Sequence, residues 1–104
     1  MREAQIYYRS MELGYEVASK LATSYARRQP EVGAPVIVAW FDRNSARASH
    51  PDKGNSGSSW RDYGASHGGK LDVNVNDEFE FIFADASDFE SYGPSPYINL
   101  RDPG

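Results

Sequence analysis

The segment Val36–Asp42 constrains the fold of this chain more than any other, because as a strand it would be apolar on both faces. Pro35 precedes it, and in the run VIVAWF the side chains alternate between V, V and W on one side and I, A and F on the other. A strand of this kind is usually central in its sheet and covered on both sides. The fold therefore has to provide two covering layers for this strand.

The first part of the chain predicts one long amphipathic helix over residues 3–28. Its apolar side chains recur at alternating intervals of three and four residues, which is the period of a helix with one buried face. Arg27 and Arg28 fall in the last turn, where cations complement the helix dipole, and Pro30 ends the helix. Gly14 lies on the apolar stripe, where it would mark either a close approach of another backbone or a break between two shorter helices.

Three further strands are predicted downstream of a polar loop over residues 43–59. They cover approximately residues 60–66, 71–76 and 79–85, and an irregular tail over residues 86–104 follows them. The sequence HGGK between the first two of these strands is a hairpin signal. The polar loop is long for a compact domain, and loops of this length are often functional or mobile.

Burial determines the register of the hairpin between the last two strands. A three-residue loop over residues 76–78 pairs Val75 with Phe79 and so puts the apolar side chains of both strands on one face. A two-residue loop would set apolar side chains against polar ones. We therefore expect the longer loop, with Glu78 in the left-handed backbone conformation.

These elements predict an α+β fold in a single domain over residues 1–104, with one long N-terminal helix packed on a four-stranded, mainly antiparallel sheet. One helix covers only one face of a sheet. The other face would need the tail or a second copy of the chain, and for this reason we expect a homodimer. The tail contains aromatic side chains, which favour its docking on its own domain or on a neighbour.

Composition excludes several classes of function. The 104 residues include 15 acidic and 11 basic side chains, and the net charge of −4 argues against binding to nucleic acid, whose phosphates require clustered Lys and Arg. The sequence contains no Cys, which excludes disulfides and thiolate chemistry. It has neither a long apolar run nor a secretory signal pattern near the N-terminus, so we expect a cytoplasmic protein without a membrane partner.

Two stretches of the sequence resemble a known family. They are VIVAWFDR at residues 36–43 and SHGGKLDVNVND at residues 66–77, with Trp60 and Tyr63 between them. They are similar to a small family of uncharacterised bacterial and archaeal proteins, labelled only as a domain of unknown function, whose prototype is an Archaeoglobus protein. The likeness covers residues 4–85 and leaves out the tail. It implies a compact α+β fold, and it implies no activity and no catalytic residues.

Two histidines are candidates for acid–base or metal chemistry. His50 and Asp52 lie in the polar loop, His67 lies in the predicted hairpin turn, and Asp42 lies at a strand end. Imidazole titrates near neutrality and carboxylates orient it or share a metal with it, so these four side chains are the catalytic candidates. Asp72 supplies a further carboxylate that faces away from the core. No pair has the spacing of a metal-binding motif, so solvated histidines are the alternative, and neither a metal nor a cofactor is expected.

Four other side chains are candidates for ligand binding. Trp40, Trp60 and Tyr63 could line a pocket near the polar loop, although aromatic side chains on strands more often belong to a core. Arg43 lies beside this pocket and belongs to the few basic residues near the helix end and the loop. Ordinary surface charge is the alternative to a small-anion site there.

The sequence favours a non-enzymatic, homo-oligomeric binding or interaction module, because it contains no catalytic motif and has apolar surface to bury. The alternative is a small enzyme or ligand-binding protein with a His/Asp site between residues 43–59 and the sheet. That alternative requires the imidazoles of His50 and His67 to lie within about 10 Å of each other. A third possibility is an adaptor that binds an extended protein segment at an open strand edge.

Overall fold

Residues 1–9, 13–50 and 59–90 are described by the structure, a computed structural model, and they form a mixed five-stranded sheet with helices on both faces. In chain order the elements are β1 (Arg2–Ile6), α1 (Tyr15–Arg27), β2 (Pro35–Asp42), β3 (Arg47–Ala48), α2 (Ser59–Ser66), β4 (Leu71–Val75), β5 (Phe79–Asp85) and α3 (Ala86–Glu90). The strand order is β1-β4-β5-β2-β3, in which β1 is parallel to β4 and the other neighbours are antiparallel. The fold is α+β, as the sequence predicts, but two of its elements differ in kind from the prediction.

The prediction of one helix over residues 3–28 is wrong, because its first part is a strand. β1 ends at Ile6, and α1 begins only at Tyr15 and has 13 residues. In β1 the side chains of Ala4 and Ile6 pack on the core and the residue between them is exposed, which is the alternation of a strand. Gly14 is the N-cap of α1 in an extended conformation, so it marks the break between two elements.

β1 lies at one edge of the sheet and pairs in parallel with β4, beginning with Arg2 opposite Leu71. Arg2 N donates to Lys70 O at 3.2 Å at the start of this pairing. At the other end the Asn76 side chain imitates a strand residue: its Nδ2 donates to Tyr8 O at 2.7 Å and its Oδ1 accepts from Tyr8 N at 2.7 Å. β1 is therefore held to β4 along its length and at both ends.

α1 covers one face of the sheet through a row of alanines. Ala18, Ala22 and Ala26 recur every four residues and are fully buried, and their small side chains let the helix backbone approach the strands. At the start of the helix Tyr15 packs edge-on against Trp40, with ring centroids 5.1 Å apart. The large buried side chains of β4 and β5 in this core are Leu71, Val73, Val75, Phe79, Phe81 and Phe83.

The prediction of a strand over residues 60–66 is also wrong, because α2 occupies this part of the chain. Trp60 and Gly64, one helical turn apart, are the buried residues of the helix. The glycines after it end the helix and do not turn a hairpin, since Gly68 has a φ of 89° and Gly69 N donates to Gly64 O at 2.9 Å. This is the Schellman arrangement, in which Gly takes the left-handed position with little strain.

α2 covers the opposite face of the sheet and lies over β2 and β5. Gly64 allows a close approach, since a Cβ there would lie 2.8 Å from Ile82 Cδ1 and 3.1 Å from Ala39 Cβ. Trp60 stacks on Phe41 with ring centroids 5.5 Å apart. Helices therefore contact β2 on both faces, as its sequence requires, but within one chain. An uncovered sheet face no longer argues for a homodimer.

The β4–β5 hairpin has the predicted register, with Val75 opposite Phe79. The loop differs from the prediction in one respect. Asn76 and Asp77 take the left-handed conformation, with φ of 58° and 59°, and Glu78 does not. The reason is that short amide and carboxylate side chains tolerate positive φ better than Glu does.

The predicted loop over residues 43–59 contains regular structure in its first part, over residues 43–50. The Asp42 carboxylate accepts a backbone N–H two residues later at 3.0 Å, and the resulting turn leads to β3, which pairs with the end of β2. Residues 51–58 lie outside the described residues. The predicted irregular tail over residues 86–104 begins instead with α3. The prediction that the tail docks concerns residues 91–104, which also lie outside the described residues.

Candidate functional site

A charged pocket lies on the α2 face of the sheet, on the side of β1 and β4 that α2 leaves open. It is a cavity of about 180 Å³. Its polar lining side chains are Glu3, Gln5, Arg43, Arg61, Asp72, Asn74 and Glu80. Those from β1, β4 and β5 alternate with core residues along each strand, so the pleat brings them to the face opposite α1. The pocket is therefore a direct product of the strand pattern and the strand order.

Glu80 is a buried carboxylate between two arginines. It is only 5% exposed, and its Oε2 accepts a hydrogen bond from Arg61 Nη2 at 2.7 Å. Arg43 Nη2 lies 3.5 Å from its Oε1. A buried carboxylate needs such partners, because removal from water strongly disfavours an unpaired charge.

Asp72 lies beside Glu80 and is the most deeply buried polar side chain of the pocket, at 2% exposed. Its Oδ1 has no hydrogen-bond partner among the described residues. Burial, a hydrogen bond with Glu80 and the charge of Glu80 together raise the pKa of the Asp72 carboxyl to about 8, against the opposing effect of Arg61. Asp72 therefore holds a proton at neutral pH and can donate a hydrogen bond.

Aromatic rings and a backbone carbonyl fix the two arginines at the rim. The guanidinium of Arg43 lies 5.5 Å from the centroid of the Phe41 ring, and that of Arg61 lies 5.2 Å from the centroid of the Trp60 ring. Arg43 Nε also donates to Asp77 O at 3.0 Å. Their side chains remain 52% and 44% exposed, so both guanidinium groups are open to a bound molecule as well as to Glu80.

The pocket thus presents several directed hydrogen-bonding groups around a small volume. The arginines donate, the Glu3 carboxylate accepts, and the amides of Gln5 and Asn74 do both. A few convergent polar groups of this kind fix the orientation of a small ligand. The described residues contain no group of three or more His, Asp or Glu side chains that could hold a metal ion.

The two histidine candidates lie on either side of the Tyr63 ring. The ring centroids of His50 and Tyr63 are 3.5 Å apart, and those of Tyr63 and His67 are 3.8 Å apart. His67 Nδ1 lies 2.8 Å from Tyr63 O, a carbonyl that can only accept, so this nitrogen is the donor. The imidazoles are near each other, as shared chemistry requires, but the Tyr63 ring separates them.

The aspartate candidates do not join the histidines. Asp42 belongs to the turn after β2, where its Oδ2 accepts from Ser45 Oγ at 2.9 Å and its Oδ1 accepts from Asn44 N at 3.0 Å. Asp52 lies outside the described residues. Within residues 13–50 and 59–90, no hydrogen bond or ion pair links Asp42 to either imidazole.

The four ligand-binding candidates are distributed over different parts of the protein. Trp40 lies on the face that α1 covers, Trp60 belongs to α2 and is only 4% exposed, and Tyr63 lies between the histidines. Arg43 lines the charged pocket. The aromatic residues are therefore largely core and stacking residues, and the arginine is the member of the set that reaches the site.

Sequence reasoning misses Glu80 and Arg61, and it recognises Asp72 only as an outward-facing carboxylate. A signal exists in the strand sequences LDVNV and FEFIFAD, where a single acid interrupts an apolar run. In a strand with neighbours on both sides such an acid is buried and needs a partner or a proton. The pairing of β1 with β4, which supplies one of those neighbours, is not visible in local sequence patterns.

In the parts of the chain that the structure describes, no helix combines the length and the apolar character needed to cross a bilayer.

The chain belongs to a family without an assigned function. The chain is a member of the family described as Domain of unknown function (DUF5619), whose model matches residues 1–83. The resemblance expected from the sequence is thereby confirmed. No curated protein matches the chain.

A solved structure shares the fold. It is the crystal structure of a novel protein from Archeoglobus fulgidus DSM 4304, to which this chain is 21% identical with a TM-score of 0.70. The match covers 82% of this chain and 94% of that one. At this level of identity the likeness concerns the fold alone, so the function has to be argued from the site.

Proposed function

We propose that the protein binds a small polar ligand without transforming it, and that the charged pocket is the binding site. The observation that carries the proposal is Asp72, which lines the pocket and whose Oδ1 is buried without a hydrogen-bond partner among the described residues. An unmade hydrogen bond of a buried group costs about 1–3 kcal/mol. A ligand that forms a hydrogen bond with this atom removes that cost, and the free energy recovered favours binding at this position.

The rim supports the same proposal. Arg43 and Arg61 are about half exposed, and both are held in position by ring and ion-pair contacts before any ligand arrives. Side chains that are already ordered lose little conformational entropy on binding. A solvated pair of arginines with no such contacts would not favour a specific ligand.

A second candidate function is acid–base catalysis by Asp72. A carboxyl with a pKa of about 8 keeps its proton at neutral pH and can exchange it with a bound molecule, which is the property of a general acid. The two candidates predict different fates for a bound ligand. Under the binding proposal the ligand's own NMR signals stay unchanged over hours with the protein, and under the catalytic one new signals appear.

The test is a titration followed by NMR. The side-chain amides of Gln5 and Asn74 line the pocket and serve as reporters, whereas the amide of Gln29 lies elsewhere and serves as a reference. We expect at least one molecule from a panel of small polar compounds to shift the reporters and not the reference. Arg61→Lys weakens the binding of that ligand. Arg27→Lys, which alters an exposed arginine of α1, leaves the binding unchanged. A panel in which no compound moves either reporter would refute the proposal.

The homodimer expected from the sequence stays a prediction. An uncovered sheet face does not support it, because α2 contacts that face. Light scattering after size-exclusion chromatography measures the mass directly. A particle of 11.6 kDa at micromolar concentration is the result that would contradict the homodimer.

A further inference from the structure

The charges of the pocket lie on opposite sides, and the strand order is the cause. Glu3 on β1 lies opposite Asp72 on β4, so both acids are on the outer side of the sheet. Arg43 follows β2, and Arg61 belongs to α2, which lies over β2 and β5. Neighbouring strands are about 4.8 Å apart, so Glu3 on β1 lies roughly 10 Å from Glu80 on β5, the carboxylate that both arginines contact.

The net charge on each side of the pocket determines which charged groups of a ligand it can bind. On the arginine side two guanidinium groups face one carboxylate, that of Glu80, which leaves one positive charge in excess. On the acidic side Glu3 is exposed, and none of the ion pairs among the described residues includes it. A simple anion would satisfy the arginine side only, and a simple cation would satisfy the acidic side only.

We infer that the ligand is a small zwitterion of the size of an amino acid, bound with its ammonium group on the acidic side and its carboxylate on the arginine side. The inference rests on the proposed function and specifies its ligand class. The carboxylate receives N–H donors from Arg43 and Arg61, as guanidinium groups commonly bind carboxylates. The ammonium group donates to the Glu3 carboxylate and to Asp72 Oδ1, the buried oxygen that has no partner among the described residues.

The volume of the pocket supports a molecule of this size. A cavity of about 180 Å³ has room for several water molecules or a small amino acid. The amides of Gln5 and Asn74 lie in the same wall and can bond a short polar side chain. Small zwitterions with short or polar side chains are therefore the members of the class to test.

The experiment compares whole zwitterions with their halves. The wild-type protein is titrated with glycine, alanine and serine, with N-acetylglycine, which keeps only the carboxylate, and with glycinamide, which keeps only the ammonium group. The Gln5 and Asn74 amide signals report binding. We expect at least one free amino acid to bind about tenfold more tightly than either half, because a charge-assisted hydrogen bond is lost in each half.

Variants then assign each half to its side. Arg43→Gln lowers affinity for the amino acid and for N-acetylglycine but not for glycinamide. Glu3→Gln lowers affinity for the amino acid and for glycinamide but not for N-acetylglycine. Arg27→Gln, an exposed arginine of α1, changes none of the three. Both pocket variants alter exposed side chains, so the fold is retained, and unchanged backbone spectra check this.

Each other outcome overturns the inference in a recognisable way. If N-acetylglycine binds as tightly as the amino acids, the site is an anion site, and if glycinamide does, it is a cation site. If the amino acids do not bind while other small polar compounds shift the two reporter signals, the inferred ligand class is wrong and the proposed function stands. If no compound shifts them, the proposed function fails together with the inference.

Discussion

Asp72→Asn tests the central feature of the pocket, a buried carboxyl that keeps its proton. Asn has nearly the same size and shape, is uncharged at every pH, and still offers an N–H donor toward Glu80. The substitution therefore removes the titration of this group and changes its packing little. Its effect on stability should depend on pH in a way that the structure determines.

Whether stability rises or falls with pH follows from the pKa of Asp72 in the folded and in the unfolded chain. The pKa of Asp72 is about 8 in the folded protein, and its ordinary value is 3.8. Between these values the folded chain holds a proton that the unfolded chain has lost, so raising the pH favours unfolding. One group lowers the free energy of unfolding by up to about 1.4 kcal/mol per pH unit in this window. From pH 5 to pH 7 the wild type should lose about 2–3 kcal/mol, a large part of the roughly 5–15 kcal/mol of a small domain.

The assay is urea unfolding followed by tryptophan fluorescence at pH 5, 6, 7 and 8. The matched control is Asp77→Asn, the same substitution at an exposed position of the same hairpin. We expect the wild type and the control to lose stability in parallel as the pH rises. Asp72→Asn should be nearly flat across the window and should be the most stable of the three at pH 8.

A pH dependence of Asp72→Asn equal to that of the wild type would refute the reasoning. The other titrating groups of the protein are common to all three chains, so they cancel in the comparison. Equal slopes would mean that Asp72 is ionised in the folded protein at neutral pH. The pocket would then hold one more negative charge than its geometry supports.

Two further predictions concern the fold. Gly64→Ala should destabilise the protein by about 1–3 kcal/mol, because the new Cβ would lie 2.8 Å from a side chain of the sheet. Gly33→Ala should instead stabilise it by about 0.4–1 kcal/mol, because Gly33 has helical backbone angles and open space around it. Equal effects in urea unfolding would mean that α2 does not pack on the sheet. Asn76→Gly should cost about 1–2 kcal/mol of stability, because it removes two hydrogen bonds to Tyr8 that bridge the hairpin to the end of β1. Asp77→Gly should be neutral or stabilising, because it relieves a positive φ in the same way but leaves this bridge intact. If thermal unfolding midpoints of these two variants coincide, the bridge does not stabilise β1.

Local sequence patterns predict the parts of the fold that depend on neighbours in the chain. The two-sided apolar run Val36–Asp42 indicates a covered central strand, and the β4–β5 register follows from alternation and loop length. β1 and α2 are missed for a physical reason. Both are short, and the spacing of their apolar residues fits strand and helix nearly equally until the partner element is known. The Gly-Gly pair after α2 is ambiguous in the same way, since a hairpin turn and a helix C-terminus both use it.

The site is predicted less completely than the fold. Residue type alone identifies Arg43 as a candidate for ligand binding and selects both histidines, which the structure stacks on Tyr63. It does not select Glu80 or Arg61. The importance of both arises from the burial of Glu80, which depends on α2 being a helix and on β1 lying beside β4. An acid on a strand is ordinary at an edge and exceptional in the interior of a sheet, and only the strand order distinguishes the two cases.

The parallel pairing of β1 with β4 has a consequence for the order in which the chain folds. Arg2 is synthesised long before its partner Leu71, which follows α1, β2 and α2 in the chain. Contacts of such long sequence separation form slowly, because the intervening loop has to close before they are made. The β1 segment therefore stays unpaired until β4 has been synthesised. Asp72 and Glu80 reach their final environment only after β1 has paired with β4. The pocket should therefore be among the last regions of the protein to fold.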